Sequence, residues 1–223
     1  MDLVLAMDLR HNLVVHGQKG ERAGYKPLDW GCSPTADPVR SVRAIRPKFL
    51  YIADLDRIEG TGSHDRVVRE CAGLVSACYV DRGCRSPGDT LEGYHIRNIV
   101  GTETAGADLS VYTGGFLSID MKDGRVIPSG KEPAELLRRA NGWKFEGCIL
   151  LAISAVGTRM GMDPKFLETA RSCYHGRLFW GGGVAGIRDL ETLAGCGFDG
   201  AIIATALHRG AVPAAWIRRG RWC

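Results

Sequence analysis

Two aspartates stand out by type and by place. Asp8 closes the apolar run in LAMDLRHNLVV, and Asp120 closes the matching run in LSIDMKDGRVI. After each come one apolar residue, one basic residue, a turn and two β-branched residues. The two positions stand half of the 223-residue chain apart. Two carboxylates that face one ligand can divide acid and base work if their surroundings separate their proton affinities. A single strand-end Asp serves equally well to hold loop N–H groups. Two in register across a repeat point to chemistry.

A second set of residues has the composition of anion turns. Gly181-Gly182-Gly183 follows one apolar run and precedes a helix-like stretch, and Ala204-Thr205 follows the next run. Glycine lets backbone N–H groups come close to phosphate oxygens. Corresponding points in the first half are Gly83 to Arg85 and Gly101-Thr102, which gives a second candidate anion site. The same glycines would also make tight turns with no ligand. The segment HGQKGERAGYKPLDWG, with Lys19, Arg22, Tyr25 and Lys26, is long enough for a lid over a ligand, or for a solvated basic loop. His16, His64 and His208 have no metal-ligand spacing and are read as ordinary polar residues. Trp180 is read as a packing residue near the barrel top or core.

These residues need elements to position them. Apolar runs recur at Leu3–Leu9, Phe49–Ala53, Ala77–Val80, Asn98–Val100, Phe116–Asp120, Gly147–Ile153, Leu178–Trp180 and Ala201–Ala204, each with the look of a strand buried on both faces. Helices are expected over Ser41–Ile45, Asp65–Val75, Pro87–Tyr94, Pro133–Ala140, Asp163–Tyr174 and Ile187–Ala194, with Asp65, Ser86 and Asp163 as N-caps. Gly106, Gly114 and Gly115 leave little room for a full helix after Val100. Strands alternating with helices at this length predict a single (β/α)₈ TIM barrel over 1–223, with an open doubly wound sheet as the rival. An internal repeat decides for the barrel. Besides the two Asp segments, Gly60-Thr61 matches Gly157-Thr158, Gly83 and Asp89 match Gly183 and Asp189, and IVGT at 99–102 matches IIAT at 202–205. Two duplicated half-barrels, about 1–112 and 113–223, give this order.

Composition limits the classes of function. Hydrophobic residues make up 45% and charged residues 24%, as in an ordinary globular protein with a sizeable core. The net charge of +4 is mild and its basic residues are dispersed, so no nucleic-acid partner is expected. No apolar stretch is long enough for a membrane span and the N-terminus lacks a signal-peptide pattern. The eight Cys, at 32, 71, 78, 84, 148, 173, 196 and 223, have no C-x-x-C or metal spacing and are read as reduced thiols in the cytoplasm. The oligomeric state is not legible.

The paired strand-end Asp, the Gly-Thr segments, the glycine turn at 181–183 and the closing AT-ALHRG resemble the histidine-biosynthesis barrels. These are the ProFAR isomerase and the cyclase subunit of imidazole glycerol phosphate synthase. The resemblance spans nearly the whole chain. It implies Asp8 and Asp120 as general acid and base, with Thr158 assisting, and an Amadori-like rearrangement. It also implies phosphate turns at Gly83, Gly101, Thr102, Gly157, Gly182, Gly183 and Thr205, with Lys19 and Arg85 beside them. The substrate implied is a phosphorylated small molecule, with no metal and no organic cofactor. The chain departs from the family at Asp81-Arg82-Gly83, where a glycine run is usual, and at Ala155-Val156, where Arg and Asp are usual. In this it is similar to a divergent branch linked to methanopterin- and methanofuran-type one-carbon cofactor biosynthesis. An isomerase or cyclase, a lyase on the same carboxylates, and a non-catalytic phosphometabolite-binding accessory protein all stay open at this point.

Overall fold

A computed structural model of the chain describes residues 1–17, 20–33, 35–155 and 162–222. Strands form at every expected apolar run: β1 (Asp2–Arg10), β2 (Phe49–Asp54), β3 (Ala77–Asp81), β4 (Ile96–Gly101), β5 (Phe116–Lys122), β6 (Gly147–Ala152), β7 (Arg177–Gly181) and β8 (Gly200–Ile203). Each pairs in parallel with the next. β8 then closes on β1, with Asp2 to Leu5 opposite Gly200 to Ile203. The closed ring is a TIM barrel, which settles the choice against an open sheet. The helices are α1 (Pro38–Ile45), α2 (Leu55–Glu59), α3 (Asp65–Ala72), α4 (Pro133–Ala140), α5 (Pro164–Cys173), α6 (Ile187–Gly195), α7 (Thr205–His208) and α8 (Ala214–Arg219).

Strand periodicity of two residues sorts each strand into an inner and an outer row. Leu3, Leu5, Met7 and Leu9 of β1 face the helices, together with Leu50, Ile52, Val80, Leu117, Ile119, Leu150 and Leu178. The other parity fills the barrel: Val4, Tyr51, Tyr79, Ile99, Phe116, Ile149, Phe179 and Ile202. Tyr79, Phe116 and Phe179 stack edge-on or tilted, with centroids 5.2 to 5.7 Å apart. The Arg177 guanidinium lies over the Phe116 and Phe179 rings and pairs with Asp2 at 2.9 Å, so the floor of the barrel is plugged. Gly147 and Gly200 leave room for the rings, since a Cβ at either would come within 2.4 or 2.7 Å of Phe116 or Phe179.

Some elements differ from expectation. The helix expected over Pro87–Tyr94 is only a 3-10 turn, Pro87–Asp89. The Asn98 side-chain amide bonds both the N–H and the C=O of Leu91, at 2.7 and 3.1 Å, and holds that backbone away from a helix. His64, not Asp65, is the N-cap of α3, which ends at Ala72. Asp163 caps α5 as expected, accepting from the Lys165 N–H at 3.0 Å. After Val100 there is only a short 3-10 turn, Leu109–Val111. A hairpin not read from the sequence extends β1: Leu13–His16 runs back antiparallel to it through His11 and Asn12, both at positive φ. No described cysteine is in a disulfide. No helix among the described residues is long and apolar enough to cross a membrane.

The ring cluster is the floor on which the site rests. Phe179→Ala removes a side chain that is 0% exposed and leaves a cavity between Tyr79, Phe116 and Gly200. The expected loss is about 3–5 kcal/mol of folding free energy, read by urea denaturation. A loss below about 1 kcal/mol would mean that the interior is not packed as described.

Candidate active site

The inner parity of three strands ends in carboxylates. On β1 the inner row runs Val4, Ala6, Asp8; on β3 it runs Ala77, Tyr79, Asp81; on β5 it runs Phe116, Ser118, Asp120. All three Asp line one cavity at the C-terminal ends of the strands, the place where this architecture builds its sites. Asp8 and Asp81 flank the same residue of β2, each in register with Ala53. The Tyr51 hydroxyl donates to Asp81 Oδ2 at 3.3 Å. Between Asp81 and Asp120 stands Gly101. A Cβ there would lie 2.9 Å from Asp120 Oδ2 and 3.5 Å from Asp81 Oδ2, so it would crowd Asp120 and touch Asp81.

Each carboxylate is held differently. Asp120 is almost wholly buried. It accepts from Ser118 Oγ at 2.6 Å, from the Glu103 N–H at 2.9 Å and weakly from Thr102 Oγ1 at 3.5 Å. Asp81 Oδ1 accepts from the Gly83 N–H at 3.1 Å. The Asp8 side chain has no hydrogen-bond partner among the described residues and faces the cavity. Burial pushes the Asp8 carboxyl up to about 6; Arg22 opposes this and Asp81 adds to it. Burial likewise pushes Asp81 up to about 6, against the Gly83 hydrogen bond. Asp120 rises to about 7 through burial and the neighbouring Asp81 charge. Burial raises the Tyr51 phenol well above its ordinary value, helped by Asp81, Asp120 and Asp8. Near neutral pH the cluster therefore holds protons that surface carboxylates would have lost.

Above the carboxylates lies the segment that follows the β1 hairpin. Arg22 makes a two-point pair with Glu103, at 2.8 and 2.6 Å. Arg10 bonds the Arg22 carbonyl and Glu59. Glu103 thus ties the loop to Asp120, its side chain on Arg22 and its N–H on the carboxylate.

The facing wall is of opposite character. Gly182 and Gly183 sit at φ +94 and +72, and a Cβ at 182 would be 2.3 Å from the Ala152 carbonyl. The Trp180 indole N–H fixes the turn by donating to the Gly182 carbonyl at 2.7 Å. The N–H groups of Gly183, Val184 and Ala204 have no protein acceptor among the described residues. Thr205 Oγ1 meets His16 Nε2 at 3.1 Å, and His16 and His208 each pack edge-on against Trp30. Burial lowers the pKa of both histidines, and Arg209 lowers that of His16 further. All these residues except Ala152, Trp30, Trp180 and Arg209 line the cavity.

Of the residues singled out in the sequence, Asp8, Asp120, Gly182, Gly183 and Thr205 therefore share one cavity. Gly83, Arg85, Gly101 and Thr102, expected as a second anion turn, have other partners. The Gly83 N–H is on Asp81, and the Arg85 side chain bonds the carbonyls of Gly83 and Ile58 at 3.1 and 2.8 Å. The Thr102 hydroxyl accepts from the Asp120 N–H at 2.9 Å. Lys19, Gly157 and Thr158 lie outside the described residues. Asp81, Tyr51, Glu103 and the two cavity histidines were not singled out as site residues. Asp81 carried the signal, since YVD has the same form as the other two strand ends. The histidines did not, because their partners lie across the fold. Asp54, His64 and Asp56 make a separate buried network: His64 Nδ1 is 2.7 Å from Asp54 Oδ1, and His64 Nε2 accepts from the Asn12 N–H at 2.9 Å. It pins the hairpin to α2.

The raised Asp8 pKa has a consequence for stability. The folded state holds a proton that the unfolded chain releases near 3.8, so this contribution is intact below about pH 4 and is lost as the pH rises through 6. Asp8→Asn removes the charge. The variant is expected to gain on the order of 2 kcal/mol over wild type at pH 8 and nothing at pH 4, measured by urea denaturation at both. A wild type that is the more stable at pH 8 would contradict the burial of this carboxylate.

Comparison with known proteins agrees with the architecture. A family model described as "Histidine biosynthesis protein" matches residues 2–213. An uncharacterised protein of Methanocaldococcus jannaschii is 29% identical, over 94% of this chain and 94% of its own length. The 1-(5-phosphoribosyl)-5-((5-phosphoribosylamino)methylideneamino)imidazole-4-carboxamide isomerase of Thermus thermophilus is 28% identical, over 97% of this chain and 99% of its own. The enzyme of that name from Methanopyrus kandleri is 27% identical, over 78% and 81%. With a barrel closed in the same order as its motifs and a family match over nearly its full length, this chain belongs to the histidine-biosynthesis protein family.

Proposed function

We propose that the chain is an isomerase-type enzyme that acts on a phosphorylated, sugar-derived small molecule by general acid–base catalysis, with Asp8 and Asp120 as the pair. The observation that carries this reading is one cavity that has carboxylates with raised pKa on one wall and, on the other, backbone N–H groups without an acceptor among the described residues. The second wall suits a phosphate. Gly183, Val184 and Ala204 offer donors, Thr205 and His16 offer side-chain hydrogen bonds, and Arg209 adds positive potential. The names of the isomerase relatives support the same class of reaction.

The division of labour follows from the surroundings. Asp120, pushed up to about 7, keeps its proton best and is the acid toward a ring oxygen or imine nitrogen. Asp8, pushed up to about 6 and without a protein partner, is the base that takes a proton from the adjacent carbon. One proton enters the substrate and one leaves it, so the aldose-to-ketose rearrangement needs no co-reactant. Ser118, Thr102 and the Glu103 N–H fix the Asp120 carboxylate, and the Arg22–Glu103 pair holds the loop above both groups.

A panel of phosphorylated aminoaldoses, including the compound named for the relatives, tests this by NMR detection of the ketose product. Wild type is expected to convert at least one member. Asp8→Asn and Asp120→Asn are each expected to lose about a thousandfold or more in rate while still binding inorganic phosphate. Equal rates in all three proteins would reject the pair. A member that binds and is never converted would favour the accessory-protein reading.

A further inference from the structure

The isomerase relatives are named for a compound with two phosphoribosyl groups. The two walls of the present cavity are not equally prepared for anions. We propose that Asp81 is a specificity-determining residue: it makes this site select substrates with a single phosphate and reject those with an anion at both ends. The inference rests on the phosphorylated-substrate reading above and adds which end of the substrate is charged.

Five N–H groups of the turns after β3 and β4 are already taken by the protein. The Gly83 N–H is on Asp81 Oδ1 at 3.1 Å. The N–H groups of Arg85 and Ser86 are both on Asp89 Oδ2, at 3.0 and 2.9 Å. The Thr102 N–H is on the Ser118 carbonyl and the Glu103 N–H is on Asp120 Oδ2, each at 2.9 Å. Nearby cations are committed too. Arg82 pairs with Asp65 at 2.6 Å, Arg57 with Asp89 at 2.8 Å and Arg22 with Glu103 at 2.6 Å. The Arg85 guanidinium is held on two carbonyls.

Space gives the same answer. The Cβ direction of Gly83 is closed by the Ile58 Cα at 2.9 Å, so α2 covers that turn. Gly101 opens directly onto the Asp120 and Asp81 carboxylates. A phosphate brought to this wall would have to displace a carboxylate from its N–H partners and remain beside it in a confined space. Asp81 is 7% exposed at the end of its strand. Like charges forced together in this way oppose binding strongly. The opposite wall has no acidic side chain among the residues argued to take the phosphate, and its Gly183, Val184 and Ala204 N–H groups have no acceptor among the described residues.

Isothermal titration of the full chain with inorganic phosphate, fructose 6-phosphate and fructose 1,6-bisphosphate separates the possibilities. At pH 8 wild type is expected to bind the monophosphate about tenfold or more tightly than the bisphosphate. Asp81→Gly is expected to shift that ratio about tenfold toward the bisphosphate, with Asp81→Asn shifting it in the same direction should the glycine variant fail to fold. A wild type that prefers the bisphosphate, or a ratio unchanged in a folded Asp81 variant, would overturn the assignment of Asp81 alone. If none of the phosphate probes binds, the phosphorylated-substrate reading fails and this inference fails with it.

Discussion

The burial of neighbouring carboxylates is the constraint around which this site is arranged. Asp8, Asp81 and Asp120 meet at one end of the barrel interior, where the burial of Asp81 and Asp120 weakens solvent screening. The fold lowers the cost in two ways. It supplies donors, from Tyr51, Ser118, Gly83 and Glu103. It also lets the groups keep protons into the neutral range, as burial dictates for carboxylates with like-charged neighbours. Gly101 is part of the same solution, because a Cβ there would crowd Asp120 and touch Asp81. Stability has been given up at the point where proton transfer would be done.

Much of this was written locally. Each barrel strand is a short apolar run because both of its faces are covered, and such runs can be read directly. Asp8 and Asp120 were legible because a charged residue that ends a doubly buried strand needs a reason to be there. Asp81 met the same criterion but was read as a departure from a glycine pattern, and so its role at the site was passed over. The helix expected over Pro87–Tyr94 failed because its competitor is distant in sequence: the Asn98 amide captures the Leu91 backbone from the neighbouring strand. His16 and His208 were not legible as site residues. Their place depends on Trp30 and Thr205, which come together only when the barrel closes.

The glycine turn after β7 is held by the Trp180 indole, with Gly182 and Gly183 at positive φ. The turns after β3 and β4 spend N–H groups on internal hydrogen bonds to Asp81, Asp89 and Asp120. A cavity with one open wall of donors and one wall of acids asks for an unsymmetrical ligand. The Arg22–Glu103 pair sits across this cavity and fastens the loop to Asp120.

The central claim is that the cluster holds protons at neutral pH. Infrared difference spectra of protein with ¹³C-labelled aspartate, recorded as a function of pH, test it most directly. The account predicts protonated carboxyl bands that persist at pH 6 and disappear by about pH 8, and that weaken in Asp81→Asn, in keeping with the raised values of these groups. Complete loss of the protonated bands by about pH 5, the behaviour of ordinary exposed carboxylates, would contradict it.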